Sequence, residues 1–342
     1  MKRGGAALLV RIVLLSTLAL AAMRAAALET EGALRPEIEA FVQDMNLRHG
    51  MGSAELRLIL RQARVQPDIL RAMSAQATPR PWHRYRPSFV NPERIAGGVR
   101  FWNRHAGLLA RAEREYGVPA EIIVATIGVE TVYGSYTGSH RVLDALTTLA
   151  FDFPRRAEFF RGELEQFLLL VHEGVLDPLR MRGSYAGAMG VPQFLPSSFR
   201  DYAVDFDGDG NRKLWDGAAD SIGSVANYYR SFGWQAGRPI AVPAKVEGQG
   251  YVALSEQGIE PRFDAQALTQ AGVTPLADIG ADTMAMLVLE GSSGNEYWLG
   301  LNNFYMITRY NRSVNYAMSV FQLAREIRNA REGAAGVGAV AR

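Results

Sequence analysis

One acid stands in an otherwise apolar stretch, Ile122-Ile123-Val124-Ala125-Thr126-Ile127-Gly128-Val129-Glu130-Thr131-Val132-Tyr133-Gly134. Glu130 follows Ile127 by three residues and Ile123 by seven, so a 3.6-residue period turns it toward the same face as both. A carboxyl half-buried on such a face has its charged form disfavoured and can stay protonated near neutral pH, which makes a proton donor. The other reading is a Glu paired with an Arg or capping a neighbouring helix. A second pattern is Asp205-x-Asp207-x-Asp209-Gly210-Asn211 with Asp216 at the twelfth position. These are the spacings of an EF-hand loop: oxygen ligands at one, three and five, Gly at six, a backbone carbonyl at seven and a carboxylate at twelve. They predict a structural cation site, for calcium first and sodium second. Asp216 is shorter than the usual Glu, and Arg212 and Lys213 at positions eight and nine add no ligand. Without a cation the stretch is an Asp/Gly-rich turn solvated by water. The small-residue run Gly183-Ser184-Tyr185-Ala186-Gly187-Ala188-Met189-Gly190 suits either a backbone that approaches a ligand closely or a tight interhelical loop. The five histidines show neither metal-ligand spacing nor nucleophile pairing.

The elements that must position these groups are mainly helical. Gly117 and Pro119 punctuate the start of the Glu130 helix, and Pro suits a first turn. Residues 28–84 alternate amphipathic patterns (Ile38, Phe41, Val42, Met45) with polar breaks, and predict a helical region packed on the core. Residues 85–235 show helical periods, as at 101–116 and 159–171, and form the expected catalytic core with the EF-hand-like loop. Residues 236–297 change texture, with strand-like runs at 239–246 and 284–289, and predict a small inserted α/β domain. Helical texture returns from Leu299, giving a C-terminal helical part of the core at 298–330, and 331–342 is expected to be a flexible tail.

The chain has 342 residues, 48% of them hydrophobic, which is ample for a sizeable core. Lys2, Arg3 and Arg11, an apolar run at 12–22, and then Ala25 and Ala27 predict a signal peptide over 1–27; the run is too short to span a bilayer comfortably. The absence of cysteine excludes disulfides, thiol catalysis and a lipid anchor on cysteine. The formal charge is +2, but the first 27 residues carry four basic and no acidic side chains. What remains is 33 basic against 35 acidic, about −2, and no case for nucleic acid survives.

Several long motifs, in order, resemble the membrane-bound lytic transglycosylase B family (glycoside hydrolase family 103). They are Glu130-Thr131-Val132-Tyr133-Gly134, Leu143-Asp144-Ala145-Leu146, the Gly183 run continued through Val191-Pro192-Gln193-Phe194-Leu195-Pro196-Ser197-Ser198, Tyr202-Ala203-Val204-Asp205-Phe206, Ile222-Gly223-Ser224-Val225-Ala226-Asn227-Tyr228, and Ile307-Thr308-Arg309-Tyr310-Asn311-Arg312-Ser313. The likeness covers most of residues 80 to 325. It implies a lysozyme-like core and cleavage of the β-1,4 bond between N-acetylmuramic acid and N-acetylglucosamine in peptidoglycan, with 1,6-anhydromuramic ends and no catalytic cofactor. Glycoside cleavage normally uses two carboxylates. Asp144 and Asp152, the nearest acids downstream, read as capping or turn residues, and the family works with a single Glu acid/base, here Glu130. The resemblance carries Ser184 and Gln193 over as polar contacts to the sugar, Tyr85, Tyr310 and Tyr316 as aromatic groups of the groove, and Asn311 as a hydrogen-bonding neighbour. Val191-Pro192 departs from the Tyr-Gly of some members, which leaves the contacts of that aromatic without a counterpart. The partners implied are peptidoglycan strands, with room for docking onto complexes of cell-wall synthesis or division, and the enzyme is expected as a monomer. Its expected place is the periplasm, soluble after signal cleavage and not as a lipoprotein. A muramidase-type hydrolase and a non-catalytic peptidoglycan-binding scaffold are the alternatives.

Overall fold

The computed structural model describes residues 34–75, 80–280 and 282–340. The expected signal peptide, 1–27, lies outside the described residues. Three helices come first: α1 Pro36–His49, α2 Ser53–Leu60 and α3 Pro67–Ser74. Helix α1 buries Ile38, Phe41, Val42 and Met45, the stripe read from its sequence. Ion pairs and caps then tie this region to the body. Arg35 reaches Asp152 at 2.7 Å, Arg48 reaches Glu165 at 2.7 Å, and the Arg64 backbone N–H donates to Asp144 at 2.8 Å.

The body follows as α4 Trp82–Tyr85, a 3₁₀ turn Arg86–Ser88, α5 Pro92–Arg104, α6 Ala106–Tyr116 and α7 Ala120–Thr131. Next come β1 His140–Arg141, α8 Val142–Asp152, a 3₁₀ turn Pro154–Arg156, α9 Ala157–His172, β2 Arg182–Gly183, α10 Pro196–Tyr202 and α11 Ala219–Ser231. Helix α7 is buried on every side from Ile122 to Val129, not on one face as its period suggested. A helix apolar all round belongs in the middle of a core, and α5, α6, α11 and the C-terminal helix from Val314 pack directly on α7. Among the described residues no helix is long and apolar enough to cross a membrane.

The inserted segment holds β3 Ala241–Val246, α12 Tyr251–Ser255, α13 Ala265–Gln270, β4 Val273–Pro275, β5 Ala285–Gly291 and β6 Gly294–Gly300. Its antiparallel sheet has the order β4-β3-β6-β5, with β5 and β6 joined as a hairpin that pairs Gly291 with Gly294. Side chains alternate across a strand, and here both faces are apolar. Ala241, Ala285, Leu287 and Leu289 point into the main core, while Val242, Ala244, Met284, Met286 and Leu299 enclose a second core with Phe263, Leu268 and Val273. Helices α14 Asn302–Tyr310 and α15 Val314–Val340 return to the body. Two expectations are corrected. Leu299 and Gly300 finish β6 instead of starting a helix, because Leu299 fills the second core. And α15 runs as helix through Val340, past residue 331 where the tail was expected to begin, in spite of Gly333, Gly336 and Gly338.

Candidate active site

Glu130 is the penultimate residue of α7, and the chain leaves the helix abruptly. Val132, Tyr133 and Gly134 all have positive φ, 51°, 61° and 88°. For a β-branched residue such as Val132 this region is strained, so the surroundings must hold it. They do so with hydrogen bonds on both sides. The Val132 N–H donates to the Gly128 carbonyl at 3.2 Å, the Thr131 hydroxyl to the Val191 carbonyl at 2.9 Å, and the Tyr133 hydroxyl to the Arg94 carbonyl at 2.6 Å. The Tyr133 ring fills a slot cut by three glycines: a Cβ on Gly97, Gly98 or Gly128 would stand 2.6 to 2.8 Å from it. Those absent methyl groups let the ring lock the turn behind Glu130.

The carboxyl itself meets one aromatic hydroxyl. Tyr316 on α15 donates to Glu130 Oε1 at 2.5 Å. Burial pushes the Glu130 carboxyl up to about 7, against the pull of the Tyr316 hydroxyl, which favours the ionised form. Tyr316 stacks on Tyr310 with centroids 6.5 Å apart and planes 15° apart, and Tyr310 packs in turn on Tyr228 and Tyr229. The Tyr310 hydroxyl donates to the Pro192 carbonyl at 2.6 Å, and Tyr229 meets Thr126 at 2.8 Å. Burial, then the Glu130 charge, drives Tyr310 and Tyr316 well above the usual phenol range, so both stay protonated. Tyr85 is half-buried, stacks on Phe89 at 4.9 Å, and is shifted upward by burial and by Glu130.

The loop 183–194 forms another wall. Ser184 Oγ accepts from the backbone N–H groups of Ala186 and Ala188 at 3.3 and 3.1 Å, which leaves its own proton to donate. Gln193, at φ 53°, donates its amide to the carbonyls of Thr137 and Gly190 at 3.0 and 2.9 Å, which leaves Oε1 as an acceptor. Asn311 is exposed where α14 ends. One expected role is corrected: Tyr316 is only 3% exposed, so its ring is no platform for a sugar, and it serves Glu130 through its hydroxyl. Asp144, 6% exposed, accepts from Arg64 and from Gln66 at 3.3 Å, and Asp152 is paired with Arg35, so both acids hold the N-terminal helices. Sequence reading missed Tyr229 and Tyr133. Their only signals were a second tyrosine beside Tyr228 and a large ring close to small residues.

On the carboxylate loop, oxygens of Asp205, Asp207 and Asp209 come within 4.8 Å of one another on the surface. Asp205 also accepts from the N–H groups of Gly208 and Gly210 at 2.7 and 2.8 Å, with Gly210 at φ 86° making the sharp turn. Asn211 donates to Asp209 through its backbone N–H at 2.8 Å. Lys213 Nζ lies 2.9 Å from Asp209 and holds that carboxyl below its usual range. The converging group is these three acids, and Asp216 is not part of it. Three converging carboxylates on a sharply turned loop fit a hard cation. The loop is anchored by buried Asp220, which accepts from the N–H groups of Phe206 and Lys213, both at 2.7 Å. It is also bonded to the site, because the Val191 N–H donates to the Leu214 carbonyl at 2.8 Å.

The profile of a family described as "Transglycosylase SLT domain" matches residues 33–325. The chain is 45% identical over 307 residues to membrane-bound lytic murein transglycosylase B of Escherichia coli K12, which is 86% of this chain and 84% of that protein. Among solved structures, the soluble lytic transglycosylase SltB1 of Pseudomonas aeruginosa is 49% identical with a TM-score of 0.82, over 87% of this chain and all of that one. The Escherichia coli lytic transglycosylase Slt35, in a structure described as a complex with calcium, is 45% identical with a TM-score of 0.80, over 87% of this chain and 95% of that one.

Proposed function

Because the chain belongs to the transglycosylase SLT family and is a lytic transglycosylase of peptidoglycan, we propose that Glu130 is its single acid/base and that its products end in 1,6-anhydromuramic acid. The observation that carries this is a buried carboxyl poised at about 7 with one hydroxyl donor, able to give a proton and take one back near neutral pH. Glu130 protonates the glycosidic oxygen between N-acetylmuramic acid and N-acetylglucosamine, and the C1–O bond breaks with oxocarbenium character at C1. The 6-hydroxyl of the same muramic residue attacks C1 and passes its proton to the Glu130 carboxylate. A new C1–O6 bond replaces the old one, the acid is regenerated, and no water is consumed. The nucleophile is already tethered to the reacting ring, which supplies the proximity a second carboxylate would otherwise enforce.

Ser184 offers a donor and Gln193 an acceptor to the sugar's acetamido and hydroxyl groups, and both are fixed by backbone hydrogen bonds before substrate arrives. Tyr85 and Tyr310 offer ring faces and Asn311 a hydrogen-bonding amide, while Tyr316 orients the acid. The catalytic body comprises 85–235 completed by the helices from Asn302 onward, with the helices between Pro36 and Ser74 and the inserted segment through Gly300 packed on it. Asp205, Asp207 and Asp209, with the carbonyl of Asn211, would hold a structural calcium ion, and Asp216 would have to move to join them. When bound, that cation would stabilise the loop through charge. The enzyme works in the periplasm as a monomer, after removal of 1–27.

Mass spectrometry of muropeptides released from purified peptidoglycan tests this reading. Products lighter by one water than their hydrolysed equivalents, lost in Glu130→Gln, are expected. Reducing-end products would make the protein a muramidase, and no products from a folded chain would make it a binding scaffold.

A further inference from the structure

We propose that a cavity of about 380 Å³ between the N-terminal helices and the β1–β2 ribbon is a carboxylate subsite, taking an acidic group of the peptide stem on the strand being cleaved. Its walls bring together Arg64 and Gln66 from the α2–α3 link, His140 and Arg141 on β1, and Arg182 on β2. The one acid in the wall, Asp144, is already occupied by the Arg64 and Arg141 contacts and by Gln66. Asp68, from α3, is taken up by His140 at 3.2 Å and by the backbone N–H groups at the start of its own helix. The guanidinium groups of Arg64 and Arg182 therefore remain in excess. Arg182 gives one N–H to the Ser139 carbonyl at 2.8 Å and keeps its other donors for a ligand. In the same wall the buried Arg141 Nε has no acceptor. Such a surplus of planar, forked donors suits a carboxylate.

The location makes this the substrate's carboxylate. β2 runs from Arg182 through Gly183 into Ser184, and Gly183 pairs with His140. Thr137, two residues before Ser139, holds the Gln193 amide. The cavity thus adjoins the wall that carries both sugar contacts, and a peptide leaving the muramic lactyl group there meets Arg182 and Arg64. This rests on the reading that Ser184 and Gln193 border the glycan groove, and it gives the N-terminal helices a part in recognition.

Cleavage, peptide binding and vesicle binding, measured with Arg64→Glu and Arg182→Glu at two exposed positions, test it. The first compares cleavage of peptide-bearing strands with strands stripped of their stems by an amidase. Each variant should lose about tenfold in kcat/KM on peptide-bearing strands, mainly through KM, and match the wild type on stripped ones. Arg182→Lys should recover part of the loss. The second is calorimetric binding of a muramyl peptide to Glu130→Gln, which should weaken about tenfold when the peptide carboxylates are amidated or Arg182 is reversed. Equal losses on both strand types, or binding indifferent to both changes, would overturn the subsite. Should the wild type cleave neither strand while binding keeps its charge dependence, the catalytic reading alone fails. Loss of binding to anionic lipid vesicles with unchanged peptide binding would make the cavity a membrane contact and overturn the proposal.

Discussion

The molecule uses carboxylates in two opposite ways. Glu130 is a single acid at the end of a fully buried helix, ringed by tyrosines and pushed up to about 7. Asp205, Asp207 and Asp209 are three acids crowded on an exposed loop, and Asp209 is held below its usual range by Lys213. Burial raises the cost of one charge until the group keeps its proton; exposure lets water and a cation carry several charges at once. On the function proposed above, the same functional group serves as a proton shuttle or a cation ligand according to the solvent it is given. A bond between the Val191 N–H and the Leu214 carbonyl joins the two regions without mixing their chemistry.

The largest test breaks the buried half. Glu130→Gln keeps shape and removes the proton, so activity on peptidoglycan should fall about 10²- to 10⁴-fold, in the range of general acid catalysis, with the circular dichroism spectrum unchanged. The same variant should be more stable than the wild type at alkaline pH. A carboxyl whose folded value lies near 7 and whose unfolded value lies near 4.5 binds its proton more tightly when folded. That stability is fully present below about pH 4.5 and is lost as pH rises through about 7, costing about 3 kcal/mol. Thermal melts should show Glu130→Gln gaining on the wild type across that window, and parallel curves would refute the assignment of burial. A smaller effect should follow from Tyr316→Phe. Loss of the hydroxyl that favours the ionised form raises the Glu130 value further, so the alkaline limb of the pH–rate profile should move to higher pH. The smallest effect belongs to the exposed half. Calcium should raise the melting temperature by a few degrees, Asp207→Asn should abolish that gain, and Lys213→Ala should tighten binding by removing a competing cation. None of the three should move the alkaline limb.

What the sequence displayed were features that local spacing carries. Asp205, Asp207 and Asp209 sit at fixed offsets on one loop, and the Glu130 motif lies on one continuous helix. Partners across the fold have no such signature: the Tyr316 that touches Glu130 lies 186 residues away, and nothing in its neighbourhood announces a hydrogen bond. The left-handed exit at Val132 and Tyr133 was hidden because neither residue is glycine, the usual marker of positive φ. The all-round burial of α7 read as a single face because periodicity reports where apolar residues recur, not how many neighbours surround them. The strands at 241–246 and 285–291 were legible through their apolar runs, and the Leu299 end of β6 was not, being short and followed at once by a helix.

The sheet of the inserted segment has one further consequence, for folding and not for chemistry. Leu287 and Leu289 on β5 face the helical core while Met284 and Met286, along the same chain, face the smaller one. A genetic excision of the insertion would strip the helical body of a wall, and the excised piece would expose an apolar face to water. The two units therefore open together, and amide hydrogens on β5 should exchange at the rate of the whole protein and not at that of a detachable module.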